Sequence, residues 1–390
     1  MTSRLVGWEA TAFGVAAFLG VALTPIGGAS GQPAARKGEA PARPPAVMAE
    51  RGMEGWAQVC HSVGRDGTVA DIRVVDVSPR PEVAKAVRGA LATWTYEPAR
   101  IDGDTVDQHN VCELVVFELA EAERVTGKKA DSQLDEAERL IESVDFAEPD
   151  ADPDQAEKDL ASARRILDQL VAEGPLDLSQ GARLELLRYR LAVREKNEEE
   201  ALLALQRATV GQGRFIDPKD RIPALGAQFT GLAQQGRYRD ALGLFDLFEV
   251  LDGGALPMVV HGKAASSIRD LAASDSSFAV PAKLKPRADG EGAIWVYRPL
   301  RRELGVRGLQ GSLKALVVEC ERRKIRLDYQ EDVSWGIPAS WGACTVYAEG
   351  DAGTTFELVE FAPTPEAGAK GEPAASGSEP AQPPAEGAAE

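Results

Sequence analysis

Between Glu54 and Leu119 the spacing of apolar residues changes twice, and that pattern leaves few folds open. Ala57, Val59, His61 and Val63 alternate with Gln58, Cys60 and Ser62, the two-residue period of a strand with unlike faces. Asp66-Gly67 follows as a hairpin turn, because glycine accepts the positive φ that such turns require. Val69, Ile72, Val74 and Val75 continue into a second strand, ended by Pro79 and Pro81. Val83, Val87, Leu91 and Trp94 then recur three or four apart, the apolar stripe of a helix. Pro98 closes the helical region, Asp102-Gly103 turns, and residues 111–119 read as a third strand. The order β-β-α-β fixes the pairing. The second strand returns antiparallel to the first and the helix carries the chain back, so the first strand takes the centre of an all-antiparallel sheet.

Cys60 on the central strand and Cys112 on the third then become neighbours. Ala57, Val59, His61 and Val63 face the helix, as do Val115, Phe117 and Leu119, so both cysteines share the opposite face. Adjacent antiparallel strands bring Cα atoms to about 5.5 Å, within disulfide range. A Cys60–Cys112 bridge is expected, with two buried free thiols as the alternative. The same outer face carries Trp56, Leu114 and Val116, more apolar surface than an open sheet shows to water. Another part of the chain or a partner should cover it, which makes Trp56, Leu114 and Val116 the candidate partner face. His61 is expected to face the core with a hydrogen-bond partner.

These residues carry a family resemblance. Glu54-Gly55, the alternating run, Asp66-Gly67 and Val69, followed by Trp94-x-Tyr96-x-Pro98-Ala99, Gly103 and Phe117-x-Leu119, resemble the C-terminal domain of the TonB energy-transducer family. The resemblance covers about 70 residues, taken as 49–122. It implies a periplasmic domain that engages protein partners by strand addition or domain contact, with Gly55, Asp66, Gly67, Trp94, Tyr96, Pro98, Ala99 and Gly103 as structural signature residues. His61 stands where the family has a bulky apolar residue, and the N-terminal apolar segment has no Ser/His pair of the kind transducers use to couple to their motor.

Ahead of this domain, Arg4 precedes an apolar run from Ala10 to Ile26, and Ala29 and Gly31 supply the small residues of a cleavage site. Residues 1–31 therefore read as a signal peptide or a retained signal anchor. The expected location is periplasmic or otherwise exported, with membrane contact only through that segment. Residues 32–48 read as a Pro/Ala linker, whose ~17 residues reach about 50 Å even as extended polyproline. A net charge of −17 argues against binding to nucleic acid.

Residues 133–275 change to helical spacing. Leu134 to Ile141, Leu160 to Leu170, Leu184 to Leu191, Ala201 to Leu205, Leu225 to Leu232 and Ala241 to Phe248 form successive apolar stripes. Gly236, Tyr238, Ala241, Phe245 and Phe248 resemble a tetratricopeptide repeat. An α-solenoid of about three helix pairs is expected, with an irregular bundle as the alternative. Residues 290–362 return to period two and read as a small antiparallel β domain, in which Cys320 pairs with Cys344. Trp335-Gly-Ile-Pro-Ala-Ser-Trp341 reads as a loop, for binding or for packing a thin core. Residues 363–390 have the composition of a disordered tail. The fold class is thus α+β and multidomain: a β-β-α-β domain, a helical middle and a disulfide-bonded β module.

No catalytic, cofactor or metal motif is apparent. His61, His109 and His261 fall in different elements, and Pro149 and Pro153 interrupt the acidic triplet Asp150, Asp152 and Asp154. The expectation is a non-enzymatic scaffold for unidentified envelope proteins. An energy transducer or its accessory is the first alternative. An envelope hydrolase, assembled from separate segments, is the second.

Overall fold

A computed structural model of the chain describes residues 31–37, 45–119, 128–144, 152–251, 253–287, 290, 292–327, 329 and 333–363. Residues 1–30 of the stretch read as an export signal or anchor, residues 38–44 of the linker, Asp150 and the tail from 364 lie outside these.

The described part of the linker is structured. β1 (Gly31–Gln32) and β2 (Ala35–Arg36) precede a short helix α1 (Ala46–Glu50) and the first long strand, β3 (Gly55–Val63). β4 (Val69–Ser78), α2 (Glu82–Leu91), β5 (Tyr96–Glu97), β6 (Ala99–Ile101), β7 (Asp104–Val106) and β8 (Gln108–Phe117) complete the domain. The sheet order is β4-β3-β8, all antiparallel, with β3 central. Val83, Val87 and Leu91 of α2 bury against Ala57, Val59, Val74, Val115 and Phe117, so the expected parity holds. β8 starts at Gln108, before the expected 111. The linker expectation of 32–48 is corrected at both ends: β1, which begins at Gly31, pairs with β6 and β2 with β5, and α1 begins at Ala46.

The helical middle comprises α3 (Lys128–Glu142), α4 (Pro153–Glu173), α5 (Leu178–Arg194), α6 (Glu198–Ala208), the turn α7 (Val210–Gly213), α8 (Pro218–Gln234), α9 (Tyr238–Phe248) and α10 (Ala255–Ala273). Their limits follow local chemistry. Asp152 caps α4 through the amides of residues 154 and 155, and Asp177 with Gln180 forms a capping box on α5. Lys196, at φ 59°, turns the chain into the Asn197 cap of α6. Leu134, Leu160, Leu167, Leu184 and Leu191 share one core, and Leu225, Phe229, Phe245, Phe248 and Ile268 share another.

The C-terminal module is a two-sheet antiparallel sandwich that begins at Phe278, ahead of the expected 290. Its strands are β9 (Phe278–Lys283), β10 (Lys285–Pro286), β11 (Ala293–Tyr297), β12 (Glu303–Gln310), β13 (Leu313–Cys320), β14 (Lys324–Leu327), β15 (Ser334–Gly336), β16 (Cys344–Gly350) and β17 (Thr355–Glu360). The sheets run β10-β11-β16-β13-β14 and β15-β12-β17-β9. Val280, Val306 and Leu358 of one meet Leu316, Val318 and Val346 of the other. Pro281 and Pro286 lie inside β9 and β10, and both are edge strands, where a missing N–H breaks no ladder. The expected Trp335 loop is partly strand, since β15 pairs with β12, and Trp335 and Trp341 pack against the sandwich core.

Candidate functional site

The signature residues hold the first domain together. Gly67, at φ 81°, lies so close to Tyr96 that a Cβ would stand 2.1 Å from its carbonyl oxygen, and the Tyr96 N–H donates to Gly67 O at 2.9 Å. Asp66 accepts from the Thr68 N–H at 3.0 Å and hydroxyl at 2.7 Å, which shapes the turn and lowers the Asp66 pKa. Gly55 leaves room for Ser78 O, which a Cβ would approach to 2.5 Å. The Tyr96 hydroxyl donates to Glu113 at 2.6 Å; burial first, then that carboxylate, raises its pKa. Arg36 lies 4.1 Å from the Trp94 ring centroid, which fastens the N-terminal arm. Ala99 is buried in β6, just after Pro98, and Gly103 closes the β6–β7 hairpin at φ 95°.

His61 departs from expectation. It is 1% exposed and its ring lies 5.2 Å from that of Tyr96, but neither ring nitrogen has a hydrogen-bond partner among the described residues. Burial pushes its pKa down to about 4.

The helices and the sandwich of the chain itself lie against the outer face of the sheet. Trp56 is 6% exposed. Leu114 packs at Gly211 of α7, its Cδ2 3.0 Å from where a Cβ would stand. Asp76 accepts two hydrogen bonds from Arg207 of α6, at 2.8 and 2.9 Å. Arg73 reaches from β4 into the sandwich, 2.9 Å from Glu319 and 3.8 Å from the Tyr347 ring centroid. Burial opposes the Arg73 charge, and the hydrogen bond and charge of Glu319 outweigh it, so its pKa is raised. The Tyr347 hydroxyl donates to Asn110 at 3.1 Å. Glu54 adds a link on the other side: it accepts from the amides of Leu119 and Leu178, both at 3.1 Å, and its own N–H donates to Leu176 O. Of the two covers expected for Trp56, Leu114 and Val116, the chain itself supplies one over Trp56 and Leu114, while Leu114 and Val116 stay half-buried. The alternation of β3 and β8 placed these residues on one face without saying which segment covers it.

What stays open is the edge of β8. Cys60 and Cys112 form a disulfide with their Cα atoms 4.0 Å apart, the close spacing of a non-hydrogen-bonded pair. Val111, Glu113, Val115 and Phe117 consequently bond to β3, and Cys112, Leu114 and Val116 turn their backbone N–H and C=O groups outward. Among the described residues none of these outward groups has a hydrogen-bond partner. Cys112 and Glu118 are exposed. At its start the edge is capped, because the His109 N–H donates to Glu321 O at 3.0 Å.

A serine, a histidine and an aspartate also meet here. Ser62 Oγ lies 2.9 Å from His109 Nδ1 and 3.4 Å from Asp71 Oδ2. The acid contacts the hydroxyl and not the imidazole, and Lys324 also holds it at 2.9 Å. Ser62 is 5% exposed. This order of contacts differs from a nucleophile–base–acid relay, in which the acid orients the base. No group of three or more His, Cys, Asp or Glu suited to a metal occurs among the described residues.

Residues 43–114 match the family model described as the Gram-negative bacterial TonB protein C-terminal. The TonB protein of Pseudomonas aeruginosa is 29% identical over 75 residues, which make up 19% of this chain and 22% of that relative. The chain thus spans about a fifth of the relative's length. The resemblance read from the Asp66-Gly67 and Trp94-to-Ala99 motifs is shown for this stretch, and the matched region ends before the helices and the sandwich.

Proposed function

We propose that this protein is a non-enzymatic interaction scaffold of the bacterial envelope, and that an extended segment of a partner protein adds to the β8 edge as a fourth strand. The unpaired backbone groups of Cys112, Leu114 and Val116 carry this reading. A sheet edge of this kind binds extended peptides through main-chain hydrogen bonds. The TonB-type match supports the envelope location. Two disulfides fit an oxidising compartment, and residues 1–31 read as an export signal or anchor. Among the described residues no helix is long and apolar enough to cross a membrane.

The helices fit a tetratricopeptide-like solenoid. Ala163 of α4, Ala201 of α6 and Ala241 of α9, each on the second helix of a pair, are all buried, and Gly236 supplies the inter-helix turn at φ 72°. Leu256, Val259 and Val260 form an exposed apolar stripe on α10, which supports a second partner surface there.

The test is a photo-crosslinker at Glu118, at the end of β8, with one at Arg307 as control. A discrete adduct in intact envelopes from position 118, absent from 307 and lost with Leu114→Pro, is the expected result. Proline removes an outward N–H and leaves the β3 ladder intact. Adducts that persist with Leu114→Pro would overturn the edge as the binding site.

A further inference from the structure

A second feature lies where the first domain meets the sandwich. A cavity of about 300 Å³ opens between the β3–β4 turn, the connection from β7 to β8 and the β13–β14 turn. Arg65, Asp107 and His109 line it from one side, and Arg322, Arg323 and Lys324 from the other. Such a volume is at the lower end for small-molecule sites.

The charges are unevenly matched. Asp107 serves Arg65, accepting its N–H at 3.0 Å with Nε 3.7 Å from the other oxygen. Lys324 is held by Asp71 at 2.9 Å and Glu319 at 3.2 Å. Arg322 and Arg323 meet no carboxylate among the described residues, and both are exposed. Their turn is nevertheless fixed. The Cys320 N–H donates to Arg323 O at 2.8 Å, the Arg322 N–H donates to Trp341 O at 3.1 Å, and Cys320 is bridged to Cys344. A chain of net charge −17 repels anions overall, so two adjacent arginines without a carboxylate, beside the paired Arg65 and Lys324, form a local exception.

We propose that this cavity is an oxyanion site that binds a phosphate group. Two adjacent guanidinium forks with Lys324 and His109 offer more donors than the two oxygens of a carboxylate can use, and suit the three free oxygens of a phosphate ester. The phosphate comes from a soluble ester or from a phospholipid headgroup, and the experiment separates the two. The site adjoins only the capped start of β8, at His109, and not the open groups of Cys112, Leu114 and Val116, so it can fail while the strand-addition reading survives.

The full exported chain would be titrated calorimetrically at low salt with inorganic phosphate and glycerol phosphate. In parallel it would be sedimented with phosphatidylglycerol vesicles and with neutral phosphatidylcholine vesicles. The expected result is saturable one-to-one binding, weakened at least tenfold by Arg322→Ala with Arg323→Ala and unchanged by Arg307→Ala. Binding to the soluble probes assigns an ester, and binding to phosphatidylglycerol vesicles alone assigns a headgroup. A phosphate-dependent rise in melting temperature, lost in Arg322→Gln, is the second readout if the double variant folds poorly. Absence of binding to every probe, or equal binding by the double variant, overturns the proposal.

Discussion

Arg73 on β4 and Glu319 on β13 form a buried ion pair, 2.9 Å apart in space and 246 positions apart in sequence. Arg73 is 8% exposed and Glu319 2%. With the Tyr347 ring against the guanidinium, the pair closes the outer face of the first sheet onto the five-stranded sheet of the sandwich. That closure leaves the β8 edge as the open part of the first domain.

Arg73→Met should destabilise the chain by about 3 kcal/mol, because it leaves the buried Glu319 carboxylate with the half-buried Lys324 as its remaining cation. Glu319→Leu added to Arg73→Met should recover most of the loss, since an apolar pair leaves no charge unpaired. Urea unfolding of the two variants checks both directions.

His61 should make stability depend on pH. Its native pKa is pushed down to about 4 from 6.5, so the unfolded chain binds the proton more readily. Stability is complete above 6.5 and is lost as pH falls from there towards 4, at up to about 1.4 kcal/mol per pH unit. His61→Phe should flatten that slope, as read from urea midpoints between pH 4 and 7.

Gly67→Ala should cost about 2 kcal/mol or more, because φ is positive and the new Cβ would strike Tyr96 O. Gly103→Ala meets the same backbone strain at φ 95° with nothing within 4 Å, and should cost only about 1 kcal/mol. Thermal melts of the two variants give the comparison.

The disulfides close separations of 52 and 24 residues. In the chain-entropy model, Cys60→Ser with Cys112→Ser should cost about 4 kcal/mol, and the Cys320/Cys344 double variant about 3 kcal/mol. Melting the oxidised, reduced and serine-substituted chains would show whether this order holds.

The first domain was legible because its signals are local: period two, Asp66-Gly67, the Val83-to-Leu91 stripe and Pro98. The joint between domains was much less so. Arg73, Glu319 and Asn110 look like ordinary surface residues of their strands, and no spacing rule links positions so far apart. One trace was available. Ala315 to Cys320 is buried at every position, and the run Ala-Leu-Val-Val lacks the alternation of a half-exposed strand. That is the composition of a strand covered on both faces, and it marked β13 as lying between two layers. The strand content of β9 and β10 was hidden by Pro281 and Pro286, which edge strands tolerate. The order of residues 31–36 was hidden because their pairing partners lie sixty or more positions away.

Strand addition at the β8 edge is read most directly by amide hydrogen exchange along β8, in the free protein and with its crosslinked partner segment supplied as a peptide. Val111, Glu113 and Val115 should be protected in both states, and Cys112, Leu114 and Val116 should exchange fast when free and slowly when the peptide is bound. Protection of those three amides in the free chain, or slowing confined to another surface, would contradict strand addition.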